Sequence, residues 1–187
     1  MAAPETAETV LTGAVGALGA RFVLHWGEMG TRWGVSRTVS QIHALLFYLG
    51  RPMHAEEISA VLQVARSNVS TSLRELQAWG IIKVVHVLGD RRDHFESMKD
   101  VWEMFQIILD ERKKREIDPT LQILRECVQE ADAAGPAEVH TRKRLAQMLE
   151  FFETMTNWYA QLRRMSTGAM IKFLKLGGGK KLAVMTR

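Results

Sequence analysis

The chain has 187 residues, 47% of them hydrophobic and 25% charged, an ordinary globular composition that argues against disorder for most of its length. Its net charge of +4 favours contact with a polyanion only mildly, because the distribution matters more than the total. Between residues 100 and 133 acids outnumber bases, whereas Arg163, Arg164, Lys172, Lys175, Lys180, Lys181 and Arg187 follow residue 160 without one acid. That basic end reads equally as a solvated tail or as a DNA contact. The single cysteine, Cys127, can form no intramolecular disulfide and lacks the spacing of a zinc site, which fits a reducing cytoplasm.

The apolar stretch from Thr9 to Ala20 follows Glu5 and Glu8, where a secretory signal needs positive charge, and no run reaches the roughly 18 apolar residues of a membrane span. Export and membrane insertion are therefore not expected. In chain order, Leu18, Phe22, Trp26, Met29 and Trp33 recur at steps of three and four, which places them on one face of a helix that ends near Gly34. Ser36 then caps a second helix with Val39, Ile42, Leu45, Leu46 and Leu49 inward, ended by Gly50 and Pro52. A short helix from about His54 to Leu62 and a tight turn through Gln63, Val64 and Ala65 lead to a further helix from about Arg66 to Trp79, stopped by Gly80.

Ile81 to Val87 and Arg92 to Ser97 read as a β-hairpin around Leu88-Gly89-Asp90. From Lys99 onward the pattern is helical, lined first by Val101, Met104, Phe105, Ile108 and Leu109, with Pro119 expected to break or kink it near Ile117 and Asp118 to cap a new start. A helix over Leu121 to Ala133 ends at Ala134-Gly135-Pro136. The last long helix, about Ala137 to Met165, carries Leu145, Met148, Phe152, Met155, Tyr159 and Leu162 as a heptad seam broadened by Leu149, Phe151 and Trp158, a candidate dimerisation face. Beyond Thr167 the pattern weakens, and the glycines from Gly177 end any helix.

The fold class is thus mainly α with a small β-hairpin wing: a winged helix-turn-helix followed by long C-terminal dimerisation helices. The segments are residues 1–35, an N-terminal helix for dimerisation or packing; 36–98, the winged helix-turn-helix DNA-binding domain; 99–176, a helical dimerisation and candidate effector region; and 177–187, a flexible basic tail.

Function concentrates in the helix-turn-helix. Val69, Leu73 and Leu76 must be the buried face of its second helix, which leaves Arg66, Ser67, Asn68, Ser70, Thr71, Arg74 and Gln77 outward. A run of serine, threonine and asparagine is a poor choice for an ordinary exposed helix, since these residues have weak helix propensity, but it suits phosphates and base edges. Arg91 and Arg92 beside Gly89-Asp90 put two guanidiniums on a turn that can reach a minor groove or flanking phosphates.

The run from Ile58 to Leu76, with Trp79-Gly80-Ile81-Ile82 and Gly89-Asp90-Arg91-Arg92, resembles the MarR-type winged-helix regulators, and most of all their GbsR-like branch, which shares the Arg21-to-Trp33 helix and Ile117-Asp118-Pro119. The resemblance implies a two-fold dimer on a pseudo-palindromic operator in double-stranded DNA, with Ala65 to Gly80 as recognition helix and Gly89 to Asp93 as wing tip. It implies no cofactor, and a small-molecule effector of unspecified identity. Asp93 and His94 after the arginines make this wing less basic than the family pattern.

GbsR-like relatives are associated with choline sensing, which would suit Trp26, Trp33, Trp158 and Tyr159 to an aromatic cage, but plain core packing explains each tryptophan better. The six histidines lack metal spacing, and His86 and His94 could face each other across the hairpin. Gly177-Gly178-Gly179-Lys180-Lys181 lacks the full phosphate-loop pattern. No nucleophile, base and orienting group can be assembled from motifs, so no chemistry is expected. The rival to a DNA reader is a winged-helix adaptor that binds protein, and the charge of the exposed helix and wing separates the two.

Overall fold

The computed structural model describes residues 6–135 and 139–177. The glycine-rich basic end from Gly178 onward, with Lys180, Lys181 and Arg187, lies outside the described residues. The chain divides into two compact units, Met1–Ile107 and Ile108–Arg187. The first holds α1 (Ala7–Arg32), α2 (Arg37–Leu49), β1 (Met53–His54), α3 (Ala55–Leu62), α4 (Arg66–Ala78), β2 (Ile82–Val85) and β3 (His94–Ser97). Helix α5 (Val101–Arg112) crosses the boundary. The second unit continues with a π-helical turn (Lys113–Ile117), α6 (Asp118–Ala133), α7 (Val139–Arg163) and α8 (Thr167–Gly177).

Helix α1 buries mainly small residues beside the large apolar stripe, of which Phe22, Trp26 and Met29 are half-buried. Leu11, Val15, Gly19, Ala20, Val23, Gly27 and Gly30 are inside, while Leu18 is 63% exposed and Trp33 53% exposed. The large residues marked a stripe, but the small ones decide the contact, because glycine lets two helix backbones approach closely. A Cβ at Gly19 would stand 2.6 Å from the Tyr48 ring of α2, and one at Gly30 would overlap the Ser40 side chain. Gly16, at φ 73°, interrupts the helix. By length and composition α1 could cross a membrane, contrary to the expectation from its sequence, yet its glycine face is packed on a neighbouring helix as in a protein core.

Helix α2 is the centre of this unit. Val39, Ile42, Ala44, Leu45 and Leu46 are at most 2% exposed, and Gly50 ends the helix in the left-handed conformation. His43 is buried among them, and its Nε2 has no hydrogen-bond partner among the described residues. Burial disfavours the charged imidazole and pushes its pKa down to about 4. The unfolded chain takes up that proton near pH 6.5 and the native state only near 4, so His43 leaves stability intact above about 6.5 and erodes it as pH falls towards 4. Between pH 7 and pH 5 the expected loss is about 2 kcal/mol. Urea midpoints at the two pH values should show it in the unaltered chain, and His43→Leu should show a smaller drop; equal drops would remove His43 as the cause.

The sheet has three antiparallel strands in the order β1-β3-β2, with Met53 opposite Phe95 and Val85 opposite His94. Strand β1 was not expected from the sequence, because two residues carry no alternation to read; Met53 is nevertheless fully buried. The hairpin strands are shorter than expected, so residues 86–93 form the wing loop. Its turn passes through Gly89 at φ 85°.

In the second unit Pro119 does not break the helical path. Its missing N–H is absorbed just after a π-helical turn, and Ile117 keeps α-helical angles without any side-chain cap. Asp118, expected to cap, instead accepts from Lys113 Nζ at 2.5 Å. Helix α6 packs on α7. Arg125 donates to Glu153 across that pair at 2.8 Å. Helix α8 extends order past Thr167, where the sequence pattern had faded.

Candidate nucleic-acid interface

Helices α3 and α4 form the helix-turn-helix. His54 caps α3 by accepting the Glu57 N–H at 3.2 Å, and Ile58 and Leu62 anchor the helix in the core. The turn is fixed by Gln63 in the left-handed region at φ 53° and by Ser59 Oγ, which donates to the Val64 carbonyl at 2.7 Å. Helix α4 then starts at Arg66 after Ala65, which supplies no side-chain cap. The first amides of α4 are left for solvent or for a phosphate oxygen.

Val69, Leu73 and Leu76 are at most 2% exposed, and Ser72 is buried beside them. Arg66, Ser67, Asn68, Ser70, Thr71 and Arg74 are all exposed on the opposite side. The structure therefore gathers these six sequence-predicted residues on one polar face. Two arginines are engaged within the chain: Arg66 Nη2 lies 2.5 Å from Glu56 Oε1, and Arg74 Nη2 donates to Thr71 Oγ1 at 3.4 Å.

The wing carries Arg91 and Arg92 exposed. Arg91 has no ion-pair partner among the described residues, whereas Arg92 gives its backbone N–H and its Nε to Asp90 Oδ1 at 3.0 and 2.9 Å and also pairs Nη2 with Oδ2. That guanidinium holds the Asp90 carboxyl well below the usual carboxylate range. Asp90 therefore tempers the wing directly, beside exposed Asp93. His94 is buried, its ring set edge-on to His54 at 5.4 Å, while His86 is exposed. The expected pairing of His86 with His94 is replaced by His54 with His94, because β1 brings His54 directly opposite His94. The sequence reading also missed Leu88, fully exposed at the tip beside half-exposed Val87. By sequence Val87 reads as strand for its β-branched side chain, and Leu88 falls in the turn without a role.

In the second unit the heptad seam divides. Met148, Phe151, Met155 and Trp158 form an exposed stripe at steps of three and four. Leu145, Phe152, Tyr159 and Leu162 are half-buried. Phe152 and Tyr159, with Phe151, Met155, Leu109 and Ile117, line a cavity of about 350 Å³ bordered by Arg112, Lys113 and Glu116. Tyr159 donates to Asp110 at 2.7 Å, and burial followed by that hydrogen bond raises its pKa. Core packing does not account for every tryptophan, since Trp33 and Trp158 are about half exposed, while Trp26 packs against Phe22 with ring centroids 5.4 Å apart. Among the described residues no group of three or more His, Cys, Asp or Glu is placed to hold a metal.

A braced helix-turn-helix, a polar recognition face and a β-wing define a winged-helix protein of the DNA-reading class. Residues 28–93 match the model of the MarR family, and the resemblance to MarR-type transcriptional regulators is shown over the helix-turn-helix and most of the wing. The chain is similar to the HTH-type transcriptional repressor GbsR of Bacillus subtilis (strain 168), 22% identical over 149 residues that span 76% of this chain and 82% of that protein. A solved structure described as a transcriptional regulator matches with a TM-score of 0.51 and 21% identity over 84% of this chain and 98% of that one, a likeness of fold.

Proposed function

We propose that the chain is a dimeric, cytoplasmic, sequence-specific repressor that lays α4 in the major groove and its wing on the flanking minor groove or phosphates. The observation that carries this reading is the face of α4, where Arg66, Ser67, Asn68, Ser70, Thr71 and Arg74 stand exposed over buried Val69, Leu73 and Leu76. Repression is supported by the repressor among its relatives. The stripe Met148, Phe151, Met155 and Trp158 supports pairing of two copies through α7, and the neighbouring cavity supports a small-molecule effector; no cofactor or catalytic step enters.

Binding to the chain's own upstream DNA across a salt series tests the reading. Affinity should fall steeply as salt rises, and replacing Arg91 and Arg92 together by alanine should flatten the log–log slope by about one for each phosphate no longer engaged. Exposed Val87 and Leu88 at the wing tip favour a second reading, a protein-binding adaptor. Salt-insensitive behaviour with every duplex would decide for the adaptor.

A further inference from the structure

The first side chain of the recognition helix is held by an acid of the preceding helix. Arg66 Nη2 lies 2.5 Å from Glu56 Oε1, and the other oxygen of that carboxylate is 3.0 Å from His54 Nδ1. Glu57, the adjacent acid, is committed elsewhere, to Arg51 Nη2 at 2.6 Å. Glu56 stays ionised, because its own backbone N–H, with help from the Arg66 charge, keeps its carboxyl below the usual range. Both members of the Arg66–Glu56 pair are solvent-accessible, at 67% and 38% side-chain exposure.

We propose that Glu56 is a positioning residue for DNA binding: a built-in stand-in for phosphate that Arg66 must leave when it takes a phosphate oxygen. This deepens the DNA-reading proposal and rests on it. An acid competing for a phosphate-seeking guanidinium lowers affinity wherever phosphate is present, so its effect is on strength and salt dependence and not on base preference. It restrains binding to random DNA, which the exposed arginines of α4 and the wing otherwise favour through charge alone. The cost is modest, since an exposed ion pair is weak and is itself screened by salt.

The test is a double-mutant cycle with Glu56→Gln and Arg66→Gln, read on the upstream duplex and on a random duplex of equal length. Glutamine keeps the size and one acceptor oxygen, so thermal stability should match the unaltered chain. Glu56→Gln is expected to raise affinity about two- to fivefold on both duplexes, and this gain should vanish in the Arg66→Gln background. A gain that persists without Arg66 overturns the inference, because Glu56 then acts by repelling DNA directly. Unchanged or weakened binding by a stably folded Glu56→Gln chain overturns it too. Absence of salt-sensitive binding by the unaltered chain is a separate outcome that overturns the DNA reading and this inference together.

Discussion

A chain carrying Met148→Glu and Trp158→Glu is expected to be monomeric at concentrations where the unaltered chain sediments as a dimer, and to lose about a hundredfold or more in affinity for a two-half-site duplex. Both residues stand about half exposed on α7, in the stripe that also holds Phe151 and Met155. Four large apolar side chains on one helix face form a patch that water covers poorly, which the proposed pairing of two copies would remove. Two linked reading heads make the second half-site contact intramolecular, with an effective concentration in the millimolar range, so loss of the pairing forfeits a factor of about 10² to 10⁴. Affinity for a single half-site should be unchanged. The choice of residues is what separates this from misfolding: Leu145 and Phe152, half-buried in their own chain, would disturb the fold if charged. Dimers persisting in sedimentation after both changes would place the pairing surface elsewhere.

The second large effect is expected from Gly30→Val, with a loss of about 2 to 3 kcal/mol and a fall in melting temperature of roughly 10 °C. An added Cβ there meets Ser40 Oγ and stands 2.6 Å from Ser40 Cβ, an atom rooted on the backbone of α2 that cannot swing aside. The helices must separate, and the packing of Val23 and Ile42 loosens with them. Gly27→Ala provides the control, since its Cβ would press on Gln41 Cγ at 2.6 Å, part of a flexible side chain. There the roughly 1 kcal/mol by which alanine exceeds glycine in helix propensity offsets the adjustment, and stability should hardly change. Similar losses for the two variants would mean that the glycine face of α1 is not what sets its approach to α2.

The polar outer face of α4 was legible in the sequence because it depends on local periodicity. Once Val69, Leu73 and Leu76 mark the core side of α4, helical geometry alone places Ser67, Asn68, Ser70, Thr71 and Arg74 outward. The same rule was incomplete on α1, where the apolar stripe ends in exposed Leu18 and Trp33 while the closest buried contact belongs to Gly19, Gly27 and Gly30. Glycine scores as nothing on a pattern of apolar residues, yet the absence of a side chain is the property that close helix contact requires. Likewise Pro119 signalled a break, but whether a helix stops or passes through a π-helical turn depends on whether packing keeps it helical.

For the DNA-binding reading, the sequence by itself determined the order of elements and the polar residues on the outer face of α4, since both follow from chain-local spacing. Only the tertiary structure decided which charges meet. Glu56 and Arg66 are ten positions apart and joined by the geometry of the turn between α3 and α4, and His54 meets His94 only because β1 pairs with β3. It also divided the α7 seam into a half-buried side and an exposed one. Each of these outcomes depends on distances between segments that no periodicity encodes.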